Sequence, residues 1–83
     1  MKLTVKYFAS VREALGQGSE QVDTAAATLA ALREELIARG PAYAQALAPG
    51  RSVRMALDQV MSDGAAPLHE GCEVAFFPPV TGG

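Results

Sequence analysis

The chain has 83 residues, 49% of them apolar, which suits one small globular domain and excludes a disordered one. Seven basic against nine acidic residues give a net charge of -2 with no basic stripe, which excludes an electrostatic nucleic-acid binder. No apolar run approaches the ~20 residues of a membrane span, the opening Met1-Lys2-Leu3-Thr4-Val5-Lys6 is no signal peptide, and the single Cys72 excludes an internal disulfide framework and points to a reducing, cytoplasmic setting.

Residues 2–8 alternate as a half-buried strand, with Leu3, Val5 and Tyr7 on one face and Lys2, Thr4, Lys6 and Phe8 on the other. Phe8 is the anomaly, an aromatic on the polar face. Ser10-Val11-Arg12-Glu13 matches a capping box, so Ser10 is expected to start a short helix that Gly16 ends. A weaker strand over 20–23 is expected to pair with the first. Thr28 to Arg39 reads as the main helix, capped by Thr28, with Leu29, Leu32, Leu36 and Ile37 as its apolar stripe and Gly40-Pro41 as its stop. Pro41 to Leu47 reads as a brief helix with proline in its first turn, followed by a turn at Pro49-Gly50.

Val53 to Leu57 reads as a strand, Asp58-Gln59 as a tight turn into Val60-Met61, and 62–66 as a loop turning at Asp63-Gly64. After a turn at Glu70-Gly71, Cys72 to Phe77 forms the last strand, with Val74 and Phe76 on one face and Ala75 and Phe77 on the other. One amphipathic helix on one face of a mixed sheet is the economical packing. Parallel pairing of the first and last strands then makes an α+β fold, the ubiquitin-like β-grasp. In it Phe8 and Phe77 share the uncovered face at the end of neighbouring strands, and Met61 is expected to join them as a partner-binding patch.

The chain divides into a body, 1–77, and a tail, 78–83. Pro78-Pro79 ends the strand, because neither proline has an N–H for a ladder, and favours an extended projection. At ~3.3–3.6 Å per residue the tail could reach roughly 20 Å. Gly82 presents only backbone and gives clearance in a narrow channel. Gly83 delivers a carboxylate, ionised at neutral pH. Such a group is a poor electrophile until an oxygen becomes a leaving group, so the tail reads as a substrate for activation. A terminal Gly-Gly is in itself also the mark of a loose chain end. The apolar approach Phe76-Phe77-Pro78-Pro79-Val80 weighs against that, since exposed apolar segments cost solubility unless a partner buries them.

Catalytic alternatives find no support in the spacing. His69 and Cys72 are too few for a zinc site, and no metal is expected. Cys72 is better read as a packed residue at a strand's start than as a relay thiol. Ser10 and Ser62 lack a positioned base. Glu34 and Glu35 point in different directions on their helix.

The ending Phe76-Phe77-Pro78-Pro79-Val80-Thr81-Gly82-Gly83, with the opening Val5-Lys6-Tyr7-Phe8-Ala9 and Val11-Arg12-Glu13, resembles the small subunits of molybdopterin synthase, a family of ubiquitin-like sulfur carriers called MoaD. Pro67-Leu68 and Gly71-Cys72-Glu73-Val74 fit the same family, whereas residues 17–54 match in pattern only. The resemblance implies that a ubiquitin-activating-type adenylyltransferase adenylates Gly83 with ATP and magnesium, the chain itself binding no cofactor. A persulfide sulfur then leaves a thiocarboxylate. The tail, with Pro78, Pro79, Val80 and Thr81 as partner-binding residues, enters the large subunit and gives its sulfur to cyclic pyranopterin monophosphate. The implied assembly is a heterotetramer of two small and two large subunits. Alternatives are a carrier for thiamine or tRNA thiolation, a covalent protein modifier, and an interaction module with an inert tail.

Overall fold

A computed structural model describes residues 1–48 and 52–79. Eight elements follow one another: β1 (Lys2–Tyr7), α1 (Ala9–Leu15), β2 (Ser19–Asp23), α2 (Leu29–Ile37), α3 (Pro41–Leu47), β3 (Arg54–Leu57), β4 (Val60–Ser62) and β5 (Glu73–Phe77). The five strands form one sheet in the order β2-β1-β5-β3-β4, with β1 and β5 parallel and the other pairs antiparallel. This is the β-grasp arrangement, its central strand being the last.

Alternation in β1 and β5 places Leu3, Val5, Tyr7, Val74 and Phe76 on one face, each no more than 2% exposed. They cluster with Leu29, Leu32 and Leu36 of α2, Val11 of α1 and Leu47 of α3. Each of the three fully buried leucines of α2 contributes about 1.5–3 kcal/mol through the apolar area it removes from water. The Tyr7 and Phe76 rings, paired in register, stack at 6.2 Å between centroids.

The helix ends show which local signals hold. Gly16 closes α1 in the left-handed conformation, φ 74°, and its N–H donates to Arg12 O. Thr28 caps α2 by accepting from the Ala31 N–H, and Pro41 opens α3. The first two N–H groups of α2, on Leu29 and Ala30, donate to the carbonyls of Ala66 and Gly64, so the 63–66 loop completes the cap. Gly64 is needed there because a Cβ would come within 2.9 Å of Ala30 Cβ.

Other boundaries move. Ser10 is not a cap: α1 begins at Ala9, its N-cap is Phe8, and no side chain caps it. The cause is long-range, since the Phe8 N–H is already bonded to Phe76 O and Ala9 turns sharply at φ 51°. The chain is therefore helical before Ser10 is reached. The main helix ends at Ile37 rather than Arg39, and Ser62 belongs to β4 rather than to the loop. The turn predicted at Pro49-Gly50 lies outside the described residues.

Candidate functional site: the end of the central strand

β5 lies between β1 and β3, so the segment that carries the tail is paired on both edges. Its last residue, Phe77, pairs with Arg54 of β3, and the Phe8 N–H donates to Phe76 O across the other edge. Bonding on both sides holds the tail's root to the most buried strand of the sheet.

Around this root the open face carries the predicted aromatics. Phe8 is 47% exposed at the end of β1, one register step beyond the Tyr7–Phe76 pair and thus beside Phe77. Phe77 is half-buried rather than freely exposed, a correction to the expectation of two bare rings. Met61 is 58% exposed. It pairs with Ala56, which pairs with Ala75, so Met61 shares the open face but stands one register row back and two strands away, about 10 Å across the sheet. Ala56 and Ala75 form a low floor between Met61 and the strand that ends at Phe77. The sequence reading missed Arg54. It alternates with Ala56 and pairs with Phe77, so strand parity alone could have placed it on this face as a cation beside the root.

Pro78 and Pro79 do not project. Both are half-buried, and Pro78 lines a cleft of about 150 Å³ with Ser10, Val11, Ala14, Ala46, Ser52 and Val53, between α1 and α3. The expected projection is thus corrected at its first residue, since Pro78 is seated against the body. Val80, Thr81, Gly82 and Gly83 lie outside the described residues.

Two polar clusters support this scaffold. Beside β1, the buried Tyr7 hydroxyl donates to Glu20 Oε2 at 2.7 Å, the Tyr43 hydroxyl donates to the same oxygen at 2.8 Å, and Arg39 donates to Glu20 Oε1 at 2.8 Å. Gln17 also donates to Glu20 Oε2, at 3.1 Å. Burial pushes the Glu20 carboxyl up, but the hydrogen bonds from Tyr7, Tyr43 and Arg39 outweigh it and hold the group below its ordinary value. Burial, followed by the bond to Glu20, raises the Tyr7 phenol far above its ordinary value and keeps it a neutral donor. Arg33 reaches across from α2 and donates to the carbonyls of Leu47 and Ala48, closing the C-terminus of α3.

The second cluster fixes the β3–β4 turn. Asp58 and Gln59 both have positive φ, 49° and 68°, as a two-residue hairpin of this hand requires. Asp58 Oδ1 accepts the Glu73 N–H at 2.9 Å, and the Asp58 N–H donates to Glu73 O at 2.8 Å. His69 Nε2 lies 2.7 Å from Asp58 Oδ2, and its Nδ1 lies 3.2 Å from Glu70 O. Both neighbours are acceptors, so the doubly protonated ring satisfies both contacts. The Asp58 carboxylate and then the Glu70 carbonyl raise the His69 pKa above its ordinary 6.5, while the Glu73 amide and then His69 lower that of Asp58.

Cys72 is completely buried, His69 is exposed and paired to a structural turn, and among the described residues no cluster of His, Cys, Asp or Glu could hold a metal ion. Among the described residues no helix is long and apolar enough to cross a membrane.

Residues 5–83 match the model of the ThiS family. The molybdopterin synthase sulfur carrier subunit of Escherichia coli is 41% identical over 81 residues, 98% of this chain and 99% of that protein. Among solved structures, SAMP1 from Haloferax volcanii superimposes with a TM-score of 0.81 at 25% identity, covering 100% of both chains. A complex of subunits 1 and 2 of the molybdopterin-converting factor from Helicobacter pylori matches with a TM-score of 0.71 at 24% identity over 100% of both chains, a likeness of fold.

Proposed function

The chain belongs to the ThiS family and, within it, to the molybdopterin synthase sulfur carrier subunits, and from that premise we propose that it carries sulfur on the carboxyl group of Gly83 for the building of molybdopterin. The observation that carries this reading is the continuation in sequence of the central strand β5 into the Gly-Gly ending.

In this proposal an adenylyltransferase of the ubiquitin-activating type joins the Gly83 carboxylate to AMP at the expense of ATP with magnesium. A persulfide sulfur displaces AMP and leaves a thiocarboxylate. A large subunit receives the tail, and cyclic pyranopterin monophosphate takes the sulfur. The chain's own work is to present and to bind. β5 fixes where the tail starts, the half-buried Pro78 and Pro79 set its direction, and Gly82 allows close passage. Phe8, Phe77 and Met61, with Val80 and Thr81 of the tail, contact the large subunit. The assembly is a heterotetramer of two small and two large subunits, working in the cytoplasm.

Intact mass after incubation with ATP, magnesium, the activating enzyme and a persulfide source tests the chemistry. The expected result is the exchange of one oxygen for sulfur, located at Gly83. Deleting Gly82 and Gly83 is expected to abolish sulfur loading and product formation while circular dichroism and melting stay unchanged. A truncated chain that still supported molybdopterin formation would falsify the reading. The likeness to SAMP1, a small archaeal modifier protein, favours a second reading in which Gly83 forms isopeptides with lysines of other proteins. That reading predicts higher-mass conjugates in cells, which a pure carrier does not form.

A further inference from the structure

Phe8, Phe77 and Met61 do not make an unbroken apolar surface on the open face. β3 runs between β5 and β4, and its first residue, the exposed Arg54, pairs in register with Phe77. Met61, which pairs with Ala56, is the diagonal neighbour of Arg54 on the other side. A guanidinium therefore stands between the aromatic and the thioether parts of the patch.

The charges around it are matched elsewhere. Lys6 Nζ lies 3.4 Å from Glu73 Oε1, His69 lies 2.7 Å from Asp58, and the Met1 ammonium lies 3.6 Å from Asp23. Lys2 pairs in register with that same Asp23, at the far end of the sheet. Asp63 lines a shallow groove of about 430 Å³ together with Arg54 and Met61, but its Oδ1 accepts the Ala65 N–H at 2.9 Å. Among the described residues Arg54 has no hydrogen bond and no ion pair.

We propose that the large-subunit surface covering this face carries a carboxylate, an Asp or Glu set among apolar side chains, that pairs with Arg54 and fixes the register of docking. The proposal rests on the large-subunit contact set out above and names the partner chemistry of that same patch. A surface that buries Phe8, Phe77 and Met61 together must also cover what stands between them. Withdrawing a guanidinium from water without an acceptor is strongly unfavourable. The described residues of this chain offer Arg54 no acceptor, so the partner supplies it. A carboxylate fits best, because the planar fork of guanidinium N–H groups matches its two oxygens. Apolar burial is non-directional, and the low floor of Ala56 and Ala75 would let a partner slide across the sheet. An ion pair on β3, off the line of β5, removes that freedom.

The test is calorimetric titration of the full-length protein against the large subunit, at low salt and in about 1 M NaCl, where the screening length falls to ~3 Å. Arg54→Met keeps an apolar stem and removes the charge, and Arg54→Glu reverses it. Both are expected to melt as the wild type does, because the side chain is exposed and unbonded within the described body. At low salt Arg54→Met is expected to bind about fivefold more weakly and Arg54→Glu more than about tenfold, both losses shrinking at least about twofold in high salt. Equal affinities of the wild type and Arg54→Glu would overturn the proposal. So would tighter binding by Arg54→Glu, the sign of a basic partner surface, or losses that salt leaves unchanged, the sign of lost packing alone. No binding by the wild type at either salt concentration would overturn the large-subunit reading itself, and this inference with it.

Discussion

The two faces of the sheet are built from alternate residues of the same strands, yet they obey different rules. On the helix side Val5, Tyr7, Val74 and Phe76 are at most 1% exposed and every ring is stacked or packed. On the open side Lys6, Phe8, Ala75 and Phe77 come from the same two strands, one residue out of phase, and all but the buried Ala75 keep part of their surface free. A strand's period of two lets one segment serve both ends without compromise. The buried set holds the tail's root in place, and the open set leaves Phe8 exposed and Phe77 half-exposed beside it.

The sharpest way to break that division is to cut into the buried set. Phe76→Ala removes a completely buried ring from the strand that carries the tail, and is expected to cost about 3–5 kcal/mol of stability. Denaturant unfolding reads this directly. A loss under about 1 kcal/mol would mean that the core can collapse around the gap, and that β5 is less rigid than its pairing indicates. On the open face the outcome should invert. Phe8→Ala and Phe77→Ala are each expected to weaken large-subunit binding by about 1–3 kcal/mol, with the larger stability change in Phe77→Ala because that ring is half-buried. Calorimetric titration against the large subunit, paired with a melt of each variant, separates the two effects. Unchanged affinity in both variants would remove the patch from the interface.

That division was legible because it is local and periodic. Leu3, Val5 and Tyr7, the stripe of Leu29, Leu32 and Leu36, and the caps at Gly16, Thr28 and Pro41 each need only a few neighbouring residues to be read. Ser10 failed because a capping box is a local pattern, whereas α1 starts where β1 stops, and that point is fixed by a bond from Phe8 to a residue 68 positions away in sequence. Glu20 was invisible for a related reason. It sits on a strand whose apolar content is a single Val22, and its role comes from Tyr7, Gln17, Arg39 and Tyr43, which the fold gathers from four other segments. At the candidate site the chemistry of a carboxyl end could be read from residue types, but the seating of Pro78 between α1 and α3 depends on helices that pack far from it in sequence.

The Glu20 cluster sharpens the comparison at its edge, because Tyr7 belongs to the buried face yet ends in a half-exposed network. Tyr7→Phe keeps the stacked ring and removes only the hydroxyl, so the expected cost is about 1 kcal/mol, a charged hydrogen bond discounted for its exposure. It should also change the acid limb. Glu20 has a folded pKa below its ordinary 4.5, so its contribution is present above that value and is lost as pH falls through the lowered one. Without the Tyr7 donor the folded pKa rises toward 4.5, and the variant should lose less stability on acidification than the wild type. Equal acid slopes in the two proteins would show that Tyr43 and Arg39 hold the carboxylate without help.

The smallest effect belongs to His69 and Asp58, and it runs the other way with pH. The folded His69 pKa is raised, so its contribution to the β3–β4 turn is complete below about 6.5, and it fades as pH climbs through the raised value. The pair is exposed, and Asp58 keeps its bond from the Glu73 N–H whatever the state of the ring. Deprotonation should therefore loosen the turn without opening it. Amide chemical shifts of Gln59, Val60 and Met61 are expected to titrate together with the His69 ring, and in His69→Gln that titration should vanish. If those amides titrate unchanged in His69→Gln, another group governs the turn, and Met61 owes its place on the open face to the β3–β4 ladder alone.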